Sequence, residues 1–96
     1  MLITKKIKIG RREVLGLAIK LQSKNFILLK GSRGYIMCGY LNLRAAEKFK
    51  DAAAKITGVA SLDEALKTSV AACTSTARRL GIRRGQPVKE ALKLIA

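Results

Sequence analysis

Ninety-six residues suffice for one small domain with a single core, and residues 1–96 read as that one domain. Twenty basic residues against six acidic ones leave a formal charge of +14, with two cysteines and no histidine. This balance excludes a metal set completed by histidine and a histidine-based nucleophilic site, and no apolar run nears the roughly 18 residues a membrane span needs.

The first 41 residues read as strands joined by turns. Ile3, Ile7 and Ile9 alternate with Thr4, Lys6 and Lys8, Gly10-Arg11-Arg12 marks a turn, and Leu15, Leu17, Ile19 and Leu21 recur at period two. The other face of that second strand carries Val14, Gly16 and Ala18, small enough for a helix or another backbone to approach. Ser23-Lys24-Asn25 is the next turn, and the continuous run Phe26 to Leu29 suits a strand buried on both faces. Gly31-Ser32-Arg33-Gly34 then turns the chain into a fourth strand, Tyr35 to Cys38.

Asn42 can cap a helix whose apolar stripe is Leu43, Ala46 and Phe49, ending at Asp51. Ala53 to Val59 reads as a fifth strand, and Ser61 with Glu64 forms a capping-box pattern opening a short helix to Lys67. Val70, Cys73, Ala77 and Leu80 predict a helix from Ser69 to Leu80, stopped by Gly81. Pro87 takes the first position of a last helix that buries Val88, Ala91, Leu92 and Ile95. Strands first and helices after predict an α+β fold, an antiparallel four- to five-stranded sheet opened by an amino-terminal meander and covered by three to four carboxy-terminal helices.

The densest segment is Lys30 to Asn42, with Gly31, Gly34, Gly39, Tyr35, Tyr40 and Cys38 close together. Arg33 to Tyr40 matches half the positions of the RNA-recognition octamer, but four strands before any helix exclude that fold. Gly34 and Gly39 are expected where the backbone turns or another group comes close. Cys38, near a helix entrance in a basic setting, is a candidate redox or acyl-accepting thiol, against the plainer reading of a small buried hydrophobe. Gly34, Tyr35, Cys38, Gly39 and Asn42 are therefore the candidate ligand-binding residues.

The charge is uneven: residues 1–33 hold nine basic groups and one acid, residues 34–77 are nearly neutral, and the remainder holds six basic groups and one acid. A field of that sign attracts polyanions. Lys5, Lys6, Lys8, Arg11, Arg12, Arg78, Arg79, Arg83 and Arg84 are the residues of a nucleic-acid-binding alternative, which requires them to converge on one face. No cofactor and no membrane partner is expected. A surplus of apolar residues in so short a chain suggests a homo-oligomer, formed through a sheet edge or a helix face. The amino-terminal segment lacks the features of a secretory signal, so the cytoplasm is the expected compartment, and Cys38 and Cys73, without C-x-x-C spacing, are expected there as free thiols.

Taken together, Lys30-Gly31-Ser32-Arg33-Gly34-Tyr35-Ile36-Met37-Cys38-Gly39-Tyr40-Leu41, Asp51-Ala52-Ala53-Ala54 with Thr57-Gly58-Val59, and Leu80-Gly81-Ile82 with Gly85 and Glu90-Ala91-Leu92 resemble the YunC-like family of small archaeal and bacterial proteins. The likeness covers nearly the whole chain and departs at Gln86-Pro87. It implies a single α+β domain of unknown function and supplies no catalytic residues.

Overall fold

A computed structural model describes residues 2–96. The elements run β1 (Leu2–Ile9), β2 (Arg12–Lys20), β3 (Asn25–Lys30), β4 (Tyr35–Met37), α1 (Leu43–Lys48), β5 (Ala53–Lys55), α2 (Leu62–Lys67), β6 (Ala72–Cys73), α3 (Ser75–Arg79) and α4 (Val88–Ile95). The strands form one sheet in sequence order. The fold is α+β, as its element order predicts.

Gly10, with φ of +64°, opens the tight turn between Ile9 and Arg12, a position that primed hairpin turns reserve for residues tolerating positive φ. The register pairs Ile7 with Val14 and Leu17 with Leu28, so the small residues of β2 share one face and its leucines the other. On the small-residue face Gly16 lets the Leu62 side chain of α2 come close; a Cβ at that position would lie 3.2 Å from Leu62 Cδ2. Ile27, Leu29 and Ile36 continue this face, and with Leu62 and Ala65 of α2 and Val88, Leu92 and Ile95 of α4 they make the main core. Among the described residues the opposite face is covered chiefly at β4 and β5, where Leu41 and Ala46 pack on Ala53 beside Tyr35, Met37 and Leu43, and Tyr40 reaches Phe26 of β3.

Several expectations are corrected by this arrangement. The sheet is mixed rather than antiparallel, because α1 carries the chain over from β4 to β5 and leaves those two strands parallel. The run Phe26 to Leu29 buries one face fully; Ile27 and Leu29 are inaccessible while Phe26 and Leu28 are only half-buried. Phe49 is 73% exposed, since the helix ends before it and it serves as C-cap. The fifth strand stops at Lys55 instead of reaching Val59.

The largest correction concerns Ser69 to Leu80. Its first half is extended, with Ala71 N–H donating to Lys55 O (2.8 Å) and Thr74 N–H to Ala53 O (2.9 Å), and only Ser75–Arg79 is helical. The buried edge of β5 needs backbone partners, and that demand outweighs the helical spacing of Val70, Cys73 and Ala77, all of which are nevertheless buried. Thr74 makes the junction. Its hydroxyl accepts from Ala77 N (3.2 Å) and Ala53 N (3.1 Å) and donates to Asp51 O (2.7 Å), so one buried side chain caps α3 and ties it to β5.

Ser61 accepts from Glu64 N (3.1 Å) as the capping box predicts, although Glu64 reaches back to Ala60 N (2.7 Å), one residue before the cap. Pro87 is the N-cap of α4 rather than its first residue and offers no side-chain bond. Gln86 steadies the preceding turn instead, accepting from Arg83 N (3.3 Å) and donating to Gly81 O (3.4 Å). Gly81 ends α3 with φ of +103°.

Candidate functional site

Strand β4 is three residues long, and a cleft opens at each of its ends. At the carboxyl end, a cleft of about 790 Å³ is walled by Cys38-Gly39-Tyr40, by Thr57-Gly58-Val59-Ala60 after β5, and by Ser23 and Lys24 of the β2–β3 turn with Asn25 at the start of β3. This is the mouth of the parallel pair, the place where open sheets with a crossover helix leave their loops free to hold a ligand.

Cys38 forms part of its floor. The residue is 4% exposed, its N–H donates to Ile27 O (3.0 Å), and its Sγ accepts from Ile27 N (3.3 Å). Cys73 is likewise a free, buried thiol. Asn25 Nδ2 donates to Ala60 O (2.7 Å), holding the two outer walls together. Tyr40 is 49% exposed and leans on Phe26 with ring centroids 6.2 Å apart.

Gly39 departs from its expected role. A Cβ at this position would meet nothing within 4 Å, and its φ is not in the left-handed region, so neither a turn nor a close approach within the protein requires glycine there. Gly34 does meet the expectation, since a Cβ would collide with the Ala52 carbonyl oxygen. Asn42 borders neither cleft; its Oδ1 accepts from Ala45 N (3.1 Å) as N-cap of α1. The sequence-predicted set is therefore divided, with Cys38 and Gly39 at one end of β4 and Gly34 and Tyr35 at the other.

That second cleft, about 320 Å³, is lined by Lys30 to Tyr35, Lys50 to Ala52 and Thr76. The Tyr35 hydroxyl donates to Asp51 Oδ2 (2.8 Å). Burial, then the bond to Asp51 and the Asp51 charge, push the phenol up to about 12. Tyr35 and Tyr40 thus belong to different clefts.

The basic candidates fall on several elements and on both faces of the sheet. Strand alternation sends Lys5 to the helix-covered side of the sheet and Lys6 and Lys8 to the other. Arg12 and Arg78 spend a guanidinium N–H on the carbonyls of Ala96 and Cys73, both at 3.1 Å. Arg11 occupies the β1–β2 turn, Arg79 ends α3, and Arg83 and Arg84 lie exposed between α3 and α4. Ser75 N and Oγ both bond Glu47 (2.8 and 2.7 Å), which with the nearby Arg78 and Arg79 lowers that carboxyl below its ordinary value. Among the described residues no group of three or more His, Cys, Asp or Glu is placed to hold a metal ion, and no helix is long and apolar enough to cross a membrane.

Ser23, Lys24, Asn25 and the stretch Thr57 to Ala60 are cleft walls that the sequence did not mark as such. Only turn propensity marked the first group, and nothing in a linear reading joins it to the second.

The family described as Domain of unknown function (DUF1805) matches residues 37–95. The chain belongs to the DUF1805 family. Uncharacterized protein YunC of Bacillus subtilis is 33% identical over 90 residues, covering 90% of this chain and 89% of its own. The crystal structure of TA1206, a protein of unknown function from Thermoplasma acidophilum, superposes with a TM-score of 0.96 at 30% identity, covering all of this chain and 94% of that one. The DUF1805 match begins within β4, so it takes in Cys38, Gly39 and Thr57 to Ala60 but not the β2–β3 turn that closes the cleft. The TA1206 superposition shows that the amino-terminal strands belong to the shared fold as well.

Proposed function

We propose that this domain binds a small ligand in the cleft at the carboxyl ends of β4 and β5. The observation that carries the reading is Gly39, a glycine that the architecture does not need, set in the wall of the larger cleft. A residue without a side chain there leaves the backbone open to direct approach by a ligand. Gly58, with φ of +71° and open space beside it, exposes main chain on the facing wall in the same way. Tyr40, Lys24, Asn25 and Thr57 supply one ring face, one cation and short polar groups, a lining suited to a small ligand with both apolar and hydrogen-bonding parts.

The test uses amide NMR with a library of small polar and aromatic fragments. Binders should shift Cys38 to Tyr40 and Thr57 to Ala60, and Gly39→Leu should abolish those shifts while keeping the parent fold. A library that leaves both segments unmoved, or binders indifferent to Gly39→Leu, would remove the reading.

A second reading, self-association, is favoured by the uncovered sheet face. Leu2 and Leu15 are 62% and 42% exposed, and Leu17, Ile19, Phe26 and Leu28 beside them are only half-buried. Contiguous apolar area of this kind marks an interface, and a second copy offers the matching surface. Light scattering should report a mass above one chain, reduced to one chain by Leu17→Lys; a monomeric parent at high concentration would refute it.

A further inference from the structure

The smaller cleft, at the amino-terminal end of β4, has a chemistry unlike that of the larger one. Lys30, Arg33 and Lys50 line it with their side chains exposed to solvent, and the carboxylate among the lining residues, Asp51, is engaged by the Tyr35 hydroxyl at 2.8 Å. In a chain of net charge +14, three cations around a depression carry little weight alone. The position of Lys50 carries more.

Lys50 has φ of +61° and is the one non-glycine residue among those described with a positive φ. It occupies the first position past the C-cap of α1, where its N–H donates to Glu47 O (3.1 Å) and the next amide, Asp51 N–H, donates to Ala46 O (2.9 Å). These two bonds make a Schellman motif, whose left-handed residue is most often glycine because any Cβ is strained there. A lysine kept in a glycine position, with its side chain on the rim of a basic cleft, is a residue whose local cost has no return in packing.

The opposite rim is equally fixed. Gly31 N–H donates to Gly34 O (2.8 Å) to close the β3–β4 turn, and Arg33 N–H donates to Ile95 O (2.9 Å), fastening the turn to the end of α4. Lys50 and Arg33 are thus presented from backbone that is already ordered, so a ligand meets less conformational loss on binding. Thr76 adds a hydroxyl to the same lining. About 320 Å³ admits a tetrahedral oxyanion carrying a short organic substituent.

We propose that Lys30, Arg33 and Lys50 form a binding site for a phosphoryl oxyanion, the charge-dense tetrahedral group that several converging donors hold best. This site is separate from the larger cleft and stands or falls independently of it.

Amide NMR titrations with inorganic phosphate and, in a parallel arm, glycerol 3-phosphate test the proposal, both at ionic strength held constant with sodium chloride. Saturable shifts at Gly31 to Gly34, Lys50 to Ala52 and Thr76 are expected. Tighter binding of glycerol 3-phosphate identifies a phosphorylated organic ligand, and tighter binding of phosphate identifies the free ion. Lys50→Gly should weaken the tighter binder about tenfold, the loss of one charge-assisted contact, with the melting temperature unchanged or raised because the left-handed strain is gone. Arg33→Gln, which keeps the backbone bonds of the turn, should weaken it similarly. Shifts that do not saturate, that spread over Lys6, Lys8, Arg83 and Arg84, or that persist undiminished in Lys50→Gly would overturn the proposal.

Discussion

Replacing Gly31 by alanine tests the packing logic of this fold at its tightest point. The Cβ would be built against the Ile95 carbonyl oxygen and 2.5 Å from the Ile95 carbonyl carbon, with Ala96 N at 3.0 Å. These are backbone atoms near the end of α4, so no rotamer change can relieve the collision. Either the β3–β4 turn or the end of the helix must withdraw. Overpacking of this kind costs about 1–3 kcal/mol. Withdrawal also strains the Arg33 N–H bond to Ile95 O and the bonds that Ser32 Oγ (3.0 Å) and Arg12 (3.1 Å) donate to Ala96 O, each worth about 1 kcal/mol. A loss of roughly 3 kcal/mol follows, which at about 4–8 °C per kcal/mol lowers the melting temperature of a domain this size by about 12–24 °C. Gly39→Ala is the matched control, with open space at the Cβ and an expected change within about 0.5 kcal/mol. Thermal melts of the two variants should separate widely. If Gly31→Ala melts with Gly39→Ala and the parent, the close approach of α4 to the turn is not what demands glycine there.

Thr74→Val removes two buried hydrogen bonds and one part-buried one at nearly constant shape, and urea unfolding should show a loss of about 2–4 kcal/mol because Ala53 N–H, Ala77 N–H and Asp51 O each lose their threonine partner. Tyr35 should ionise near pH 12 in an absorbance titration, a step missing from Tyr35→Phe. Because the folded value lies above the ordinary 10.0, this group's contribution to stability is present below about pH 10 and is lost as pH rises toward 12, so the parent should lose stability more steeply than Tyr35→Phe across that window. Cys38, 4% exposed and bonded to Ile27 N–H, should resist alkylation until the protein is unfolded; rapid labelling of the native protein would revive a reactive-thiol role.

Local chemistry alone determined much of this protein. The β1–β2 hairpin, the small-residue face of β2, the Asn42 and Ser61 caps, the stop at Gly81 and the buried stripe of α4 were all legible, because each rests on interactions within a few residues of chain. Of the larger cleft only Cys38 to Tyr40 stood out in the sequence, as part of the dense segment Lys30 to Asn42, and the family likeness could be read from the same glycines and cysteine. Tertiary structure decided the rest. It divided that segment between two ends of a three-residue strand, because the turn of the antiparallel β3–β4 hairpin lies at one end of β4 and the crossover to the parallel β5 begins at the other. It made Val70 to Thr74 extended instead of helical, with Ala72–Cys73 as strand β6, because the edge of β5 required hydrogen-bond partners that periodicity does not reveal. It also distinguished three glycines that look alike in sequence. Gly31 and Gly34 admit the backbone of residues far along the chain, and Gly39 faces open space, a difference that depends entirely on which atoms arrive from elsewhere.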